Sequence, residues 1–487
     1  MPHELERFKQ LLFAHGREHG DALAVAGSSE RFTYRQLLAE VGLRAKALSE
    51  RPAGVLMLAL DNGPELLFWD LAALVSERAC VIVPTFFSTA QVQHCAGQCG
   101  ASLVLCQRSW EETFSQLGFV EQDGFWAREL EAAVTLPAGT AKITYTSGST
   151  GTPKGVCLGA DAMLRVAHEL ELASRPTEPR RYLAVLPFGV LLENLGIYAA
   201  LMAGASVLLY PQMQLGMGGA SQVDFKRLLG AIALSGAQSL ILVPQLLMGL
   251  VAAIERGLTR VGPLRFVAAG GARVSPSLLA RAEAIGLPVF EGYGLSECAS
   301  VVALNRPGAM RMGSVGRPLP HVQVRIAEDG EVLVAGSVLL GYLGEAAQAP
   351  NWWATGDLGY FDDDGYLYLN GRKKHQFITS FGRNVNPEWV EAELTQSGVI
   401  AQAFVHGEGA PRNLALLWPL DPGASDEVIE QAVQRSNAAL PDYARVHAWR
   451  RLPGPLGVAE QTLTANGRPR REAILQRYHT LLSDPLS

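Results

Sequence analysis

The stretch Tyr145-Thr146-Ser147-Gly148-Ser149-Thr150-Gly151-Thr152-Pro153-Lys154-Gly155 gathers glycines and hydroxyl side chains ahead of a single lysine. Glycine lets successive backbone N–H groups turn inward with no Cβ in the way, and inward N–H groups form a nest for an anion. The Ser and Thr hydroxyls add donors, and Lys154 adds a mobile positive charge. A polyphosphate is the ligand that suits such a loop. A Gly/Ser/Thr surface turn is the plainer alternative. A P-loop is excluded by residue order, because it needs Gly-Lys-Ser/Thr where this chain has Pro153-Lys154-Gly155.

Three further stretches carry polar groups among glycines. Phe266-Val267-Ala268-Ala269-Gly270-Gly271-Ala272 reads as a strand ending in small residues, against which a flat ring can lie. Phe290-Glu291-Gly292-Tyr293-Gly294-Leu295-Ser296-Glu297 places a carboxylate at the end of a glycine-rich turn. Thr355-Gly356-Asp357-Leu358-Gly359-Tyr360 precedes an acidic turn, Asp362-Asp363-Asp364-Gly365, and an alternating hairpin strand. That acidic turn lacks the full ligand spacing of a calcium loop. Asp357 can accept two hydrogen bonds from a pair of hydroxyls.

The elements that must position these residues show a strand–helix–strand alternation. A helical pattern follows Phe32-Thr33-Tyr34, Gly54 to Leu60 has the length of a buried strand, Glu65 to Val75 reads as a helix, and Cys80 to Pro84 as another strand. This predicts an α/β fold with a parallel, doubly wound sheet. After Ala141 to Thr144, a short strand, the glycine loop is expected to lead toward an apolar helix. Trp110 to Leu136 reads as irregular. Leu183 to Tyr210 is apolar but broken by Pro187, Glu193 and Asn194, so a strand plus a buried helix is expected rather than a membrane span.

With 487 residues, the chain is too long for one ordinary core. Hydrophobic residues at 48% and charged ones at 18% fit a globular protein and not a disordered one. A net charge of −6 argues against nucleic-acid binding, which needs a basic face. The cysteines, Cys80, Cys95, Cys99, Cys106, Cys157 and Cys298, lack paired zinc spacing and are expected to be reduced, mostly buried thiols of a cytoplasmic protein. The N-terminus shows no basic region followed by an apolar run, so no signal peptide is expected.

From Tyr145 to Gly155 the chain matches, residue for residue, the phosphate loop of the adenylate-forming superfamily, and it resembles fatty-acyl-CoA synthetases within it. The resemblance runs from about Phe32 to the C-terminus. It implies a large N-terminal AMP-binding domain of mixed or parallel sheets and helices, residues 1–373, and a small mobile α+β domain, residues 374–487, hinged at Lys374. It implies that Thr146, Ser147, Gly148, Ser149, Thr150 and Gly151 cradle ATP phosphates with Lys154. Gly270, Gly271 and Ala272 would face the adenine and the acyl group. Tyr293 and Gly294 fall in the adenine region, Ser296 at the α-phosphate, and Glu297 on Mg²⁺. Asp357 would bind the ribose with Arg372 as its partner. Val190 falls at a position that carries an aromatic or histidine gate in the family, and Leu191, Gly271 and Leu295 complete the expected substrate pocket. Gly382 to Glu388 resembles the loop that swings into the site for the second half-reaction. The family carries a lysine in an Asn-Gly-Lys-like setting near its end; here Asn466-Gly467-Arg468 puts Arg468 there, and no lysine follows Lys374. Arginine keeps the charge but is larger and planar, so the exchange is not conservative.

The implied reaction is ATP-dependent adenylation of a carboxylate followed by acyl transfer to a thiol. A medium- or long-chain fatty acid is expected from Val190 and Glu193, with coenzyme A as acceptor. An aryl-acid–CoA ligase, a ligase charging an acyl carrier protein or forming an amide, and a weakened homologue that binds nucleotide or acyl-adenylate all share the same ATP motifs. An integral membrane segment and nucleic acid are not expected. Oligomeric state is not legible.

Overall fold

Helix starts in this chain are written in capping residues. Thr33 accepts a hydrogen bond from the Gln36 amide while the Gln36 side chain accepts one from the Thr33 amide, and helix Tyr34–Ser49 runs on from this reciprocal cap. Helix Pro64–Val75 begins with proline in its first turn, where a missing N–H costs nothing. The computed structural model describes residues 4–130, 134–146, 153–218, 222–345, 351–464 and 467–483.

Two large sheets organise the N-terminal part. In the eight-stranded sheet the order is Gly341–Tyr342, Lys154–Gly159, Thr140–Thr146, Cys80–Ile82, Val55–Ala59, Ala101–Cys106, Phe125–Ala127 and Val120–Gln122. Its centre is parallel, with Leu56 opposite Cys80 and Cys80 opposite Lys142, and its edges are antiparallel. The nine-stranded sheet is likewise parallel from Leu23–Ala26 through Val289–Leu295 and antiparallel outside. Strand Val55–Ala59 is buried on both faces. Leu56 and Leu58 enter the main core, which also holds residues of the second sheet, while Val55, Met57 and Ala59 enter a second core. Helices Pro64–Val75 and Leu191–Met202 are buried almost throughout, which is why apolar residues face every side of both, apart from the buried Asp70, Glu193 and Asn194.

A four-stranded antiparallel sheet (Val322–Ile326, Glu331–Gly336, Trp353–Phe361, Leu367–Arg372) follows. Beyond it, strands Ile400–His406, Asn413–Pro419 and Val446–Arg451 with helices Pro387–Thr395 and Asp426–Ala438 enclose cores drawn from Phe377 onward. Lys374 is exposed at the junction.

Two sequence expectations change. The glycine loop leads into strand Lys154–Gly159, not a helix, and closes an antiparallel hairpin with Thr140–Thr146; helix Ala160–Ser174 starts only after Gly159. A short apolar run such as Val156-Cys157-Leu158 has no period that separates strand from helix. Residues 110–136 are not irregular either: helix Glu111–Gln116 and hairpin Val120–Gln122/Phe125–Ala127 add the outer edge of the eight-stranded sheet. The cysteines are unpaired and all but Cys106 are buried. Among the described residues no helix is long and apolar enough to cross a membrane.

Candidate active site

Ser147, Gly148, Ser149, Thr150 and Gly151 lie outside the described residues, but their flanks are fixed. Thr146 and Lys154 are register partners at the mouth of the hairpin. The Lys154 ammonium sits 3.3 Å from Glu345 Oε1 and 5.1 Å from the centre of the Tyr342 ring. Both ends of that ion pair are about half exposed (52% and 55%), so water screens it and it stabilises the fold little. The lysine is therefore held loosely and can transfer to a phosphate at small cost. The Tyr342 hydroxyl donates to Glu297 Oε1 at 2.9 Å, so one side chain touches both expected charged groups. Tyr342 reaches them because Gly341–Tyr342 adds as an edge strand opposite Val156 and Cys157.

Glu297 lies in a short 3₁₀ turn, Ser296–Cys298, between strands Val289–Leu295 and Ser300–Leu304. Two non-glycine residues after it, Ala299 (φ 52°) and Ser300 (φ 91°), take left-handed backbone, which costs on the order of 1–3 kcal/mol each. Gly294, expected at the nucleotide, has a structural reason to be glycine: a Cβ there would lie 1.5 Å from the Ser300 carbonyl oxygen. Ser296 and Leu295 are partly exposed on this turn. Among the described residues no three His, Cys, Asp or Glu side chains gather as a metal cage. One carboxylate with phosphate oxygens completing the shell is a donor set that fits Mg²⁺, so Glu297 fits the expected ion.

Asp357 and Arg372 are register partners of one hairpin, with Arg372 Nε 2.8 Å from Asp357 Oδ1. Tyr293, expected near the adenine, donates its hydroxyl to Asp357 Oδ2 at 2.6 Å. Burial pushes the Asp357 carboxyl up, and Arg372 and the Tyr293 hydrogen bond oppose it. Each oxygen keeps a further lone pair for a diol.

Gly270 and Gly271 end strand Phe266–Ala269, with Gly271 at φ 81° and Ala272 exposed beside it. A Cβ on Gly270 would sit 3.2 Å from the Gly292 oxygen. Arg468 Nη2 donates to the Gly271 carbonyl at 2.7 Å from the far end of the chain. A tight turn presents it: the Thr464 amide donates to the Arg468 carbonyl at 2.7 Å, and the Arg468 amide to Thr464 Oγ1 at 3.1 Å. The Arg468 side chain is exposed to solvent along its length, with protein atoms packed around its guanidinium. That surrounding lowers its pKa, with Arg372 adding to the effect while Glu388, Asp357 and Glu297 oppose it. Arginine stays charged regardless. Further contacts hold the C-terminal part in this pose: Ser275 Oγ donates to Glu393 Oε1 at 3.2 Å, Ser277 Oγ to Glu393 Oε2 at 3.5 Å, and the Arg273 guanidinium lies 5.9 Å from the Trp389 ring centre. Gly356, Arg372, Lys373 and Lys374 line an open cleft of about 360 Å³.

Val190 caps helix Leu191–Met202, partly exposed, at the end of a turn braced on both sides. Asn62 Nδ2 donates to the Leu186 carbonyl (3.0 Å), Asn62 Oδ1 accepts from the Phe188 amide (2.8 Å), and Glu193 Oε2 accepts from the Leu186 amide (2.8 Å). Leu191 is buried in the main core at 5% exposure, a placement that serves packing more than a pocket wall. Glu193 is fully buried, and burial pushes its carboxyl up to about 8 against the Tyr182 and backbone hydrogen bonds.

Sequence reading missed Tyr342, and it named Glu388 only as the last residue of the Gly382–Glu388 loop. Glu388 is bonded to His375 (2.6 Å to Nδ1) and lies within the electrostatic reach of Arg468 and Arg372. The run Asn386-Pro387-Glu388 signals a helix start and says nothing of a charge relation.

A mixed α/β scaffold thus carries the Thr146–Lys154 hairpin, the Glu297 carboxylate and the Asp357–Arg372 pair, and Arg468 reaches them from beyond Lys374. The chain belongs to the AMP-binding enzyme family of the adenylate-forming superfamily: residues 12–343 match the AMP-binding enzyme family and residues 374–484 match the AMP-binding enzyme C-terminal domain. It is 30% identical over 422 residues to a 2-succinylbenzoate–CoA ligase of Bacillus velezensis, covering 80% of this chain and 83% of the relative. A long-chain-fatty-acid–CoA ligase of Mycobacterium bovis is 31% identical but aligns over 45% of this chain and 41% of its own. The solved structure of an anthranilate CoA ligase with anthranoyl-AMP superposes with a TM-score of 0.80 at 19% identity, covering 96% of both chains. The expectation of an AMP-forming acid–thiol ligase agrees with these relatives.

Proposed function

We propose that the protein is an aryl-acid–CoA ligase, adenylating a carboxylate with MgATP and passing the acyl group to coenzyme A. The observation that carries this reading is the alignment to the 2-succinylbenzoate–CoA ligase, which spans most of both chains. The fatty-acid relative matches under half of each, so the fatty-acid expectation drawn from Val190 and Glu193 gives way to the aryl alternative. The burial of Glu193 points the same way, since a side chain with both oxygens engaged inside the core cannot select a substrate by contact. The relatives also favour coenzyme A over a carrier protein as acceptor.

In this reading the carboxylate oxygen attacks the α-phosphorus of ATP and pyrophosphate leaves. The chain supplies position and charge: Lys154 at the phosphates, Asp357 on the ribose, and Arg468 from the Gly271 turn toward the reacting carboxylate. Magnesium held through Glu297 supplies charge neutralisation on the triphosphate when bound. No side-chain nucleophile is needed. Burial pushes the thiols beside the motifs up, Cys157 to about 11 and Cys298 well above the ordinary thiol value, as befits bystanders. The testing experiment is ATP–pyrophosphate exchange across benzoate-type, indole- and phenyl-acetate-type and C8–C18 fatty acids, followed by thioester detection with coenzyme A. Stimulation by aryl acids above fatty acids is expected; exchange with fatty acids alone restores the other substrate class.

A further inference from the structure

Away from the cleft, one fully buried ionic cluster ties the phosphate hairpin to the turn that bears Val190. Lys142 lies in strand Thr140–Thr146, at the root of the hairpin, with its side chain 5% exposed; its partner Asp70, on helix Pro64–Val75, is 0% exposed. The ammonium has three donors, and all three are used: on Asp70 Oδ1, on Asn194 Oδ1 at 2.7 Å, and on the Tyr198 hydroxyl at 3.2 Å. The other Asp70 oxygen accepts from the Tyr198 hydroxyl at 2.5 Å and from Asn194 Nδ2 at 3.2 Å. The three ammonium protons and the Tyr198 hydroxyl proton therefore each have an acceptor, and these bonds tie the three elements together directionally.

Asn194 and Tyr198 stand on helix Leu191–Met202, the helix that Val190 caps, and the Asn194 amide donates to the Val190 carbonyl at 3.1 Å. A continuous path of directional bonds thus runs from the phosphate hairpin through Lys142 and Asn194 to Val190. Stability alone does not call for charges here. A buried ion pair commonly does no better than well-packed apolar residues of the same volume. What the cluster adds over leucines is direction: sliding the hairpin strand along the helix would break bonds to a buried charge, whereas apolar contacts tolerate a small slip.

We propose that Lys142, Asp70, Asn194 and Tyr198 form a positioning cluster that fixes the phosphate hairpin relative to the acid-binding turn, so that the α-phosphorus and the carboxylate meet in line. This rests on the adenylation reading above. None of the four touches a substrate; they act through Thr146–Lys154 on one side and Val190 on the other.

The test uses the full chain and three variants, Lys142→Met, the double variant Lys142→Met/Asp70→Leu, and Tyr198→Phe. Each is read by thermal unfolding and by pyrophosphate exchange with an acid the wild type accepts, with kcat and KM resolved for acid and ATP. Lys142→Met alone strands the Asp70 carboxylate and lowers the melting temperature. The double variant removes both charges and recovers it. The expected result is that kcat stays at least roughly tenfold down at recovered stability, as misalignment by a fraction of an ångström would cause, with KM for the acid raised more than KM for ATP. Recovery of kcat together with the melting temperature would make the cluster merely structural and overturn the proposal. Should the double variant fail to fold or fail to recover its melting temperature, Tyr198→Phe decides: it keeps the ring, and a kcat equal to wild type overturns the proposal. A wild type inactive with every acid overturns the adenylation reading and this inference with it, whereas an active wild type with unaffected variants overturns this inference alone.

Discussion

Arg468 Nη2 donates to the carbonyl of Gly271 at 2.7 Å, and with it the C-terminal turn reaches the end of the strand expected to face the nucleotide. One guanidinium nitrogen is spent on that bond, and the rest of the fork remains for a carboxylate or phosphate. Arg468→Ala is expected to lower adenylation about 10²–10³-fold, the usual effect of removing one preorganised charge-stabilising donor. Arg468→Lys keeps the charge but cannot hold Gly271 and a substrate oxygen at once, so a smaller loss of about tenfold is expected. Pyrophosphate exchange at saturating ATP measures both. A gain in the lysine variant would show that arginine weakens this enzyme.

Tyr342 joins Glu297 to Lys154 without being charged itself. Removing its hydroxyl in Tyr342→Phe leaves the ring under the ammonium and frees Glu297 Oε1. The loss of one hydrogen bond to a charged group is about 1.5–3 kcal/mol at most. The expected outcome is a several-fold rise in the magnesium concentration needed for half-maximal exchange, with kcat at saturating magnesium nearly unchanged. A magnesium titration of both proteins checks it, and an unchanged requirement would separate Tyr342 from the role assigned to Glu297.

Much of the candidate site could be proposed from the sequence because its residues sit in runs. Asp357, Arg372, Gly270 and Glu297 are positioned by local hairpins and turns whose glycine and alternation patterns are visible in the chain. The relations that matter between runs were not legible. Tyr293 on Asp357, Tyr342 on Glu297 and Lys142 on Asp70 each join residues at least 45 positions apart, and no spacing rule encodes such a meeting. Glu193 shows a second limit. Its sequence position resembled that of an acidic residue in fatty-acyl ligases, but it places its carboxyl group inside the core and braces the Leu186 turn instead. Gly294 shows a third: a glycine demanded by a neighbouring carbonyl is indistinguishable, in a string of letters, from one demanded by a ligand.

Asp357 has one oxygen committed to Arg372 and one to Tyr293. In Asp357→Asn an amide NH₂ must face one of two donors, so either the arginine or the tyrosine loses its acceptor. Affinity for AMP, read by calorimetry, is expected to fall roughly tenfold or more, since a group that bonds a hydroxyl discriminates through its unpaired state as well as its bonds. Melting temperature should fall by a few degrees because Arg372 loses its counter-charge. Unchanged AMP affinity would remove Asp357 from the ribose site.

Glu193 and Glu291 make stability depend on pH with a definite sign. Both are buried, and burial pushes each carboxyl from 4.5 up to about 8; the Tyr182 hydrogen bond opposes this for Glu193, and the Val274 amide and Arg273 oppose it for Glu291. Between pH 4.5 and 8 the folded protein holds protons that the unfolded chain has released. Their contribution is complete below the unfolded value and is lost as pH rises through the folded one. Each group adds a slope of up to ~1.4 kcal/mol per pH unit inside that window. Glu388 works in the other direction. Burial raises its pKa, but His375, Arg471 and Arg372 together bring it below the ordinary value, so its share appears above the unfolded value and is lost in acid. The melting temperature is therefore expected to decline from pH 5.5 toward 8.5. Glu193→Gln, which keeps the shape and removes the titration, should flatten the decline by one group's share while Glu291 sustains the rest. Identical pH slopes for wild type and Glu193→Gln would mean that Glu193 is already ionised in the folded protein, and that the turn beneath Val190 is more open to water than its burial implies.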